Sequence, residues 1–567
     1  MKRTLALVLA MIMMLGMFAG CSKTETETTT AAGSENEGET TTAAEGTELD
    51  AEQFYNTYLS AEPTTLDISR SSDTYGGSIL QAISEPLTHI ADVDGEYKTV
   101  PGAAKEWSVS DDGLVWTFKL NESKWRDGSA VTANDFVYAY RRLADPNTAA
   151  PLGYMFECIK GYKAVQSGEA APDTIGVKAV DDLTLEITLE APTPHFMSLT
   201  SLRFAAPLNQ SCVEANGEAY GSEPDKLEGN GPFYIESWTH NSEIVLKKNP
   251  NYWDAENVAF ETVTYRIIGD ENTAYNEFEI GGLDYVSTGK KEWVDRFDQK
   301  EGTYRVTYPL ATESFIFFNQ NDELFANANI RKAFALGLDL NDINDVVFTG
   351  LRVPATGWVA SAIAVGETNY REQAGNMYDE LAKAGEAKDL LLKGMEELGL
   401  GSDPSTLDIT FSLGGTDQWY RTMGEYLQQA YKESLGVNLK IQTNEWAVFS
   451  DNVEAGNYQL GFMAWGAFYN DPIDVLNVFK STSGSVNTGW VSEEYDSLLD
   501  QASIEMDEAK RTELYIQAEK LLMVDECVIA PVADSTGNYF YYDYVQGLSQ
   551  LAMSNIGVMT GFTSGRE

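Results

Sequence analysis

Residues 101–143 spell out a turn, a strand, a second turn and a helix in immediate succession, and this order limits the folds open to the chain. Trp116, Phe118 and Leu120 alternate with Val115, Thr117 and Lys119, the period of two expected of a half-buried strand. The turn sequence SDDG at 110–113 precedes the strand, and Arg126-Asp127-Gly128 supplies a turn after it. Thr132, with Asp135 three residues on, then reads as the N-cap of a helix over 133–143. Asp127 and Asp135 are thus turn and helix-start residues, not catalytic carboxylates.

Strand and helix signals go on alternating through the second half. Met423, Leu427, Ala430 and Tyr431 share one helical face, and Gly436 stops that helix. Val437, Leu439 and Ile441 alternate as a strand, a short helix opens near Trp446, and residues 460–465 form an apolar strand. Leu514, Ala518, Leu521 and Leu522 mark another helix, and 527–532 reads as a buried strand. The pattern is mixed α/β, with no repeat of fixed period. A chain of 567 residues is also long enough to need more than one core.

The N-terminus predicts the compartment. Lys2 and Arg3 precede an apolar run over 5–18, which ends in Phe18-Ala19-Gly20-Cys21. A charged start, a short apolar stretch and small residues before the cut describe a secretory signal over 1–20. The run is too short to span a bilayer comfortably, which takes about 20 apolar residues. Cys21 directly after Ala-Gly resembles a bacterial lipobox, whose cysteine thiol is acylated and becomes the first mature residue. Residues 21–50 are rich in Thr, Glu, Gly and Ala, with Lys23 their only basic residue. They offer no apolar face to offset ordering entropy, so a disordered acidic tether is expected.

Composition excludes several classes. The formal charge, 39 basic minus 87 acidic residues, is −48, which argues against a nucleic-acid partner. It suits a secreted soluble body, or a preference for cationic or neutral ligands. Beyond Cys21 stand only Cys158, Cys212 and Cys527, too few and too far apart for a metal pattern or a disulfide framework, so buried free thiols are expected. His89, His195 and His240 are likewise scattered, and His195 in PTPHF reads as structural. Neither a metal nor a cofactor is expected, since HExxH, GxSxG and GxxxxGK[ST] are all missing. Asp92-Val93-Asp94-Gly95 has its glycine too early for a calcium loop and reads as a hairpin turn.

The segments KEWSVSDDGLVWTFKL, KWRDG and VTANDFVYAYRRL, in that order, closely resemble the signature region of the extracytoplasmic solute-binding proteins of the oligopeptide/dipeptide class, which serve ABC transporters. Residues 230–238 (NGPFYIESW) and 245–268 resemble a second block of that family, 274–289 the segment after it, and 317–358 a third. In the last, Asn319, Arg331, Ala333 and Asp339 match. The resemblance implies an α/β, bilobed clamshell of the periplasmic-binding-protein type (class II), with an extra domain beside lobe 1. Lobe 1 would comprise 51–93, 199–312 and 532–567, the extra domain 94–198, and lobe 2 313–531. Two crossings would hinge the lobes about a ligand.

The resemblance also implies a site. Peptide-binding relatives carry W-x-x-D-Y-x-[DE]-P on lobe 2, where the aspartate pairs with the peptide's α-ammonium. Here Trp465, Tyr469, Asp471 and Pro472 match, but Phe468 stands at the aspartate's place. Trp446 matches a second pocket tryptophan, and the relatives' ligand-contacting arginines would fall at Val453 and Phe462. A buried ammonium without an anion costs several kcal/mol, so that mode of binding should be lost. Three readings stay open. The ammonium is received by Asp471 or Asp474; or the ligand has no free amine, such as a blocked or cyclic peptide or an oligosaccharide stacked on Trp446 and Trp465; or Phe468 leaves the ligand class unchanged. On lobe 1, Ser71, Ser72 and Tyr75 lie in a loop the resemblance puts at the cleft mouth, where Gly76-Gly77 would let backbone approach ligand.

The leading expectation is therefore a monomeric, lipid-anchored receptor that binds an oligopeptide outside the cell and delivers it to the permease subunits of an ABC importer. It would not be an enzyme. A sensor that hands a signalling peptide to a regulator, and a secreted hydrolase with paired carboxylates, are the alternatives.

Overall fold

The computed structural model describes residues 48–93, 96–549 and 557–566; the signal segment, Cys21 and the tether up to residue 47 lie outside the described residues. The unit at 101–143 forms as the pattern dictates. Strand Val115–Leu120 buries Trp116, Phe118 and Leu120. Helix Ala133–Ala144 starts after Thr132, whose amide donates to the Asp135 carboxylate at 2.7 Å. The strand lies between Ala104–Val109 and Thr184–Thr188, and Val177–Asp181 completes a four-stranded antiparallel sheet. Phe136, Tyr140 and Leu143 of the helix join a core that runs from Leu87 to Ala205. Strands Thr88–Val93 and Glu96–Pro101 pair as a hairpin with Val93 opposite Glu96, while its turn, 94–95, lies outside the described residues.

A second core gathers distant segments. Phe54–Leu59 pairs in parallel with Thr262–Ile267, followed by Glu243–Lys248 and Phe233–Thr239 in antiparallel register. Tyr55, Ile79, Leu246 and Val263 are buried there, and Tyr541, Val545 and Val558 close the same cluster from the far end of the chain. Asp67 of this region receives both terminal nitrogens of Arg142, at 2.7 and 2.6 Å, so a bidentate ion pair fastens it to the helix Ala133–Ala144.

The largest core spans Ala311 to Ala533. Its sheet is ordered Tyr285–Ser287, Ile529–Tyr542, Thr303–Phe318, Leu460–Gly466, Ile409–Leu413 and Leu439–Thr443, with Val353–Pro354 also on Ile529–Tyr542. Phe315, Ile316, Phe317 and Phe318 are all buried, as befits a strand covered on both faces. Thr303–Phe318 and Ile529–Tyr542 pass through both the second core and this one. Their ladder is regular over Thr303 to Pro309 and resumes over Glu313 to Phe317, with register shifts between Pro309 and Glu313 and between Ser314 and Phe315. Pro309 has no N–H to give, so the ladder is weakest where the strands leave one core for the next.

Helix Gln418–Ser434 buries Met423, Leu427 and Tyr431, and Gly436 follows it at a φ of 81°. The strand read at 527–532 starts at Ile529 and continues to Tyr542. Its middle, Asp534 to Asn538, has the polar and glycine content of a loop, yet Asp534, Ser535 and Asn538 are buried in the crossing. Cys158, Cys212 and Cys527 are free.

Candidate functional site: two facing sheet edges

Strand directions locate the site. Thr303–Phe318 runs from the second core into the largest one, and Leu460–Gly466 is antiparallel to it. Ile409–Leu413 and Leu439–Thr443 are parallel to Leu460–Gly466, so the carboxyl ends Leu413, Thr443 and Gly466 all point back toward the crossing. On the other side Ile529–Tyr542 enters the second core, and Tyr285–Ser287, antiparallel to it, points out again. Phe54–Leu59 runs alongside: the Asp284 amide donates to the Asn56 carbonyl at 2.8 Å, and the Tyr58 and Tyr285 rings lie 6.1 Å apart. Its parallel partner Thr262–Ile267 ends at the same edge. The carboxyl ends of parallel strands from two sheets thus face each other across the crossing, the place where open α/β sheets take ligands.

The largest core's edge is aromatic. Trp446 opens the helix Trp446–Glu454 and is 55% exposed; Phe468 is 42% exposed. A Cβ on Gly414 would sit 3.0 Å from the Trp446 ring and 2.8 Å from Phe449, and one on Gly415 would enter the Tyr420 ring. That loop is glycine because aromatic rings lie across it. Trp465 is half-buried and stands opposite Glu313, which is opposite Asp534. Glu313 is 2% exposed, and its carboxyl group lies against that of Asp534. Burial, then the Asp534 carboxylate beside it, hold its pKa well above the ordinary range. Val453 and Phe462 are buried, so neither position offers room for a ligand-facing arginine.

Tyr469 turns toward the antiparallel-sheet region. Its ring stacks on His195 at 5.3 Å, and Ser198 Oγ donates to the Asn470 carbonyl at 3.3 Å. Beside this contact lies a cavity of about 580 Å³, walled by Tyr154 and Met155 on one side and by Trp465, Phe468, Tyr469 and Asp474 on the other. The Asp474 carboxylate accepts the Phe468 amide at 2.5 Å. Burial pushes its pKa up to about 7, against the pull of that hydrogen bond.

Three readings of the sequence need correction. Asp471 is 2% exposed and its carboxylate caps the helix Pro472–Leu476 by accepting the Ile473 amide at 3.0 Å, so it has no face to offer a ligand. Ser71 is fully buried, its carbonyl held by Arg203 at 3.1 Å. Gly76 serves packing instead of ligand approach, because a Cβ there would lie 2.7 Å from Ser71 Oγ and 3.0 Å from the Thr65 carbonyl. Ser72 is exposed, and Tyr75 is half-buried with its hydroxyl 3.3 Å from Ser60 Oγ. Sequence reasoning missed Tyr154 and Met155, which lie in no motif. His195 was singled out only as structural.

Two α/β lobes joined by paired crossing strands, with a further domain against them, define an extracytoplasmic solute-binding protein of the clamshell type. The chain belongs to the bacterial extracellular solute-binding proteins, family 5, whose sequence model matches residues 98–487. It is 33% identical to the oligopeptide-binding protein OppA of Bacillus subtilis (strain 168) over 493 residues, 86% of this chain and 87% of that one. With the dipeptide-binding protein DppE of the same organism it shares 35% over 484 residues, 85% of each. The fold matches the unliganded open form of the periplasmic murein tripeptide binding protein MppA with a TM-score of 0.76 at 26% identity, covering 92% of this chain and 99% of that one. Such proteins bind a solute and release it unchanged, so the chain is not an enzyme. No described helix is long and apolar enough to cross a membrane.

Proposed function

We propose that the chain captures an oligopeptide between its two lobes and hands it to the permease of an ABC importer, acting as a monomer held at the outer face of the membrane by a lipid on Cys21. One observation carries this: the exposed rings of Trp446 and Phe468 sit at the carboxyl edge of lobe 2, opposite the carboxyl edge of lobe 1. The names of the B. subtilis relatives support the peptide. Trp446, Trp465, Phe468 and Tyr469 would contact ligand from lobe 2, and Ser72 and Tyr75 from lobe 1. The division is 51–93, 199–312 and 532–567 for lobe 1, 94–198 for the extra domain and 313–531 for lobe 2, with the pivot at the register shift between Pro309 and Glu313.

The test is a titration of the body from residue 52 onward with pools of tri- to pentapeptides and, separately, of oligosaccharides. A cognate pool raises the melting temperature, by mass action, and reduces the radius of gyration in small-angle scattering as the lobes close. Neither change with either pool would refute the reading. Phe468 supports a second reading, in which the ligand lacks an amine, and stabilisation by N-acetylated peptides or oligosaccharides alone would select it. Intact mass of the membrane-extracted protein reports acylation at Cys21.

A further inference from the structure

We propose that lobe closure is linked to a proton held in the hinge: the carboxyl groups of Glu313 and Asp534, opposite each other on the two crossing strands beside the proposed pivot, share one proton, and closing on a ligand draws that proton in more tightly. The inference rests on capture between the lobes and adds a regulation to it. Affinity falls as pH rises, whatever charge the ligand carries.

The sheet places the pair. Glu313 on Thr303–Phe318 stands opposite Asp534 on Ile529–Tyr542, directly after the register shift that follows Pro309. Trp465 flanks Glu313 on one side of the row, and Val353 flanks Asp534 on the other. Both acids are buried, at 2% and 5% exposed, and their carboxyl groups lie together. Asp534 also accepts the Ser361 amide at 3.2 Å.

Two guanidinium groups face the pair, and each is engaged elsewhere. Arg371 is paired with the fully buried Glu519 carboxylate, at 3.2 Å from Nη1 to Oε2. Arg352 donates to Ser314 Oγ and lies 4.2 Å from the centre of the Phe348 ring. The cluster thus holds two positive charges against three acids, Glu313, Asp534 and Glu519, and it is neutral only with one acid protonated. Burial, then the Asp534 carboxylate, put that proton on Glu313. The remaining titratable groups are Tyr378 near Glu313 and Tyr420 beside Arg352. Burial holds both phenols above their ordinary values, so they stay neutral.

The position beside the pivot ties the proton to binding. Trp465 is half-buried, and a ligand resting on it removes water from the row that continues into Glu313 and Asp534. Further desolvation disfavours a second negative charge there, so the closed protein holds the proton, taken from solvent, more tightly than the open one. Proton and ligand then favour the same state, and the coupling is reciprocal. Affinity is constant while Glu313 is protonated in both forms and falls where only the closed form keeps the proton. It levels off once both forms are ionised.

The experiment measures, by calorimetry between about pH 5 and 9.5, the affinity of wild type and of Glu313→Gln for a degenerate pool of tri- to pentapeptides without titratable side chains. Titration of the peptide termini and of other protein groups is common to both proteins and cancels in the ratio of affinities. Glutamine mimics the protonated acid, so the two proteins should bind equally at the acid end. Wild type should then fall behind by about threefold or more at the alkaline end. Repeating the titration in phosphate and in Tris counts protons, and wild type should take up a fraction of a proton that Glu313→Gln does not. A ratio that stays flat with pH, or equal proton uptake by the two proteins, overturns the hinge proposal while leaving peptide capture intact. Binding of the pool by neither protein overturns both readings. If Glu313→Gln fails to fold, Asp534→Asn takes its place with the same expectations, and absence of proton uptake by wild type refutes the proposal without either variant.

Discussion

The bidentate pair between Asp67 and Arg142 is the sharpest test of how the extra domain supports the cleft. Asp67 is 2% exposed, and the Arg142 side chain 13% exposed. The Asp67 carboxylate also accepts the Ser69 amide at 3.1 Å, so one group fixes both the helix Ala133–Ala144 and the loop leading to Ser72 and Tyr75. Arg142→Ala leaves a buried carboxylate with its backbone amide and only Arg70 as a counter-ion, 3.8 Å away and itself paired with Glu218 at 2.8 Å. Breaking one side of such a pair costs about 3–5 kcal/mol, a large share of the roughly 5–15 kcal/mol that holds a domain together. Asp67→Leu combined with Arg142→Met removes both charges and should recover most of that loss, because the desolvation of two ions disappears with their attraction. The assay is a double-mutant cycle by urea unfolding, read on extra-domain tryptophan fluorescence, with peptide affinity measured beside it. Expected are a coupling of about 2 kcal/mol or more and weaker ligand binding by Arg142→Ala in the folded protein. Single-mutant losses below about 1 kcal/mol, or strict additivity, would mean that the pair behaves like a surface ion pair and that the loop is held by something else.

Trp446→Ala should leave the melting temperature nearly unchanged, since the indole is 55% exposed, but weaken peptide binding by about 2 kcal/mol, as truncation of an aromatic anchor does; unchanged affinity would remove Trp446 from the site. Phe462→Arg should destabilise lobe 2 by several kcal/mol, because the position is buried and holds no counter-charge; a stably folded variant would show that the residue can reach the cleft. Glu313→Gln should stabilise the protein at neutral pH. With a folded pKa above its unfolded one, Glu313 favours folding only while protonated, and its cost grows as pH rises from the unfolded value toward the folded one. The gain, followed by melting temperature, should shrink below about pH 4, where the glutamic acid is protonated in both states; a pH-independent difference would contradict the assignment.

Much of the architecture could be read from residues with strong periodicity or strong caps. Trp116, Phe118 and Leu120, or Met423, Leu427 and Tyr431, bury the faces that their spacing marks. The strand Ile529–Tyr542 could not be read whole, because Asp534 to Asn538 owe their burial to the crossing strand beside them, a partner more than 200 residues away. The same limit governs the site. Trp465 and Phe468 stand out through a motif and Trp446 through a separate match, and their contact with ligand belongs to the proposal, whereas Asp471 matches the motif and caps a helix. A carboxylate's role depends on which amides surround it, and sequence spacing does not report that. Tyr154 and Met155 were invisible for the same reason: the docking of His195 and Ser198 on Tyr469 and Asn470 brings their loop to lobe 2.

On the proposed function, that docking would give the extra domain a mechanical part in closure. The row Trp465, Glu313, Asp534 runs across the sheet immediately beside the register shift at Pro309. A ligand resting on Trp465, as proposed above, would therefore push on the strand at the proposed pivot. The ladder there lacks the N–H of Pro309, carries two neighbouring carboxyl groups and shifts register again between Ser314 and Phe315, so it resists bending less than the continuous pairing over Thr303 to Pro309. With His195 stacked on Tyr469, the same push reaches the extra domain through the residue next to Phe468. Removing the stack by His195→Ala should then leave the peptide contacts in place while lowering the fraction of closed protein in small-angle scattering at saturating ligand. Full compaction in that variant would show that the hinge closes without help from the extra domain.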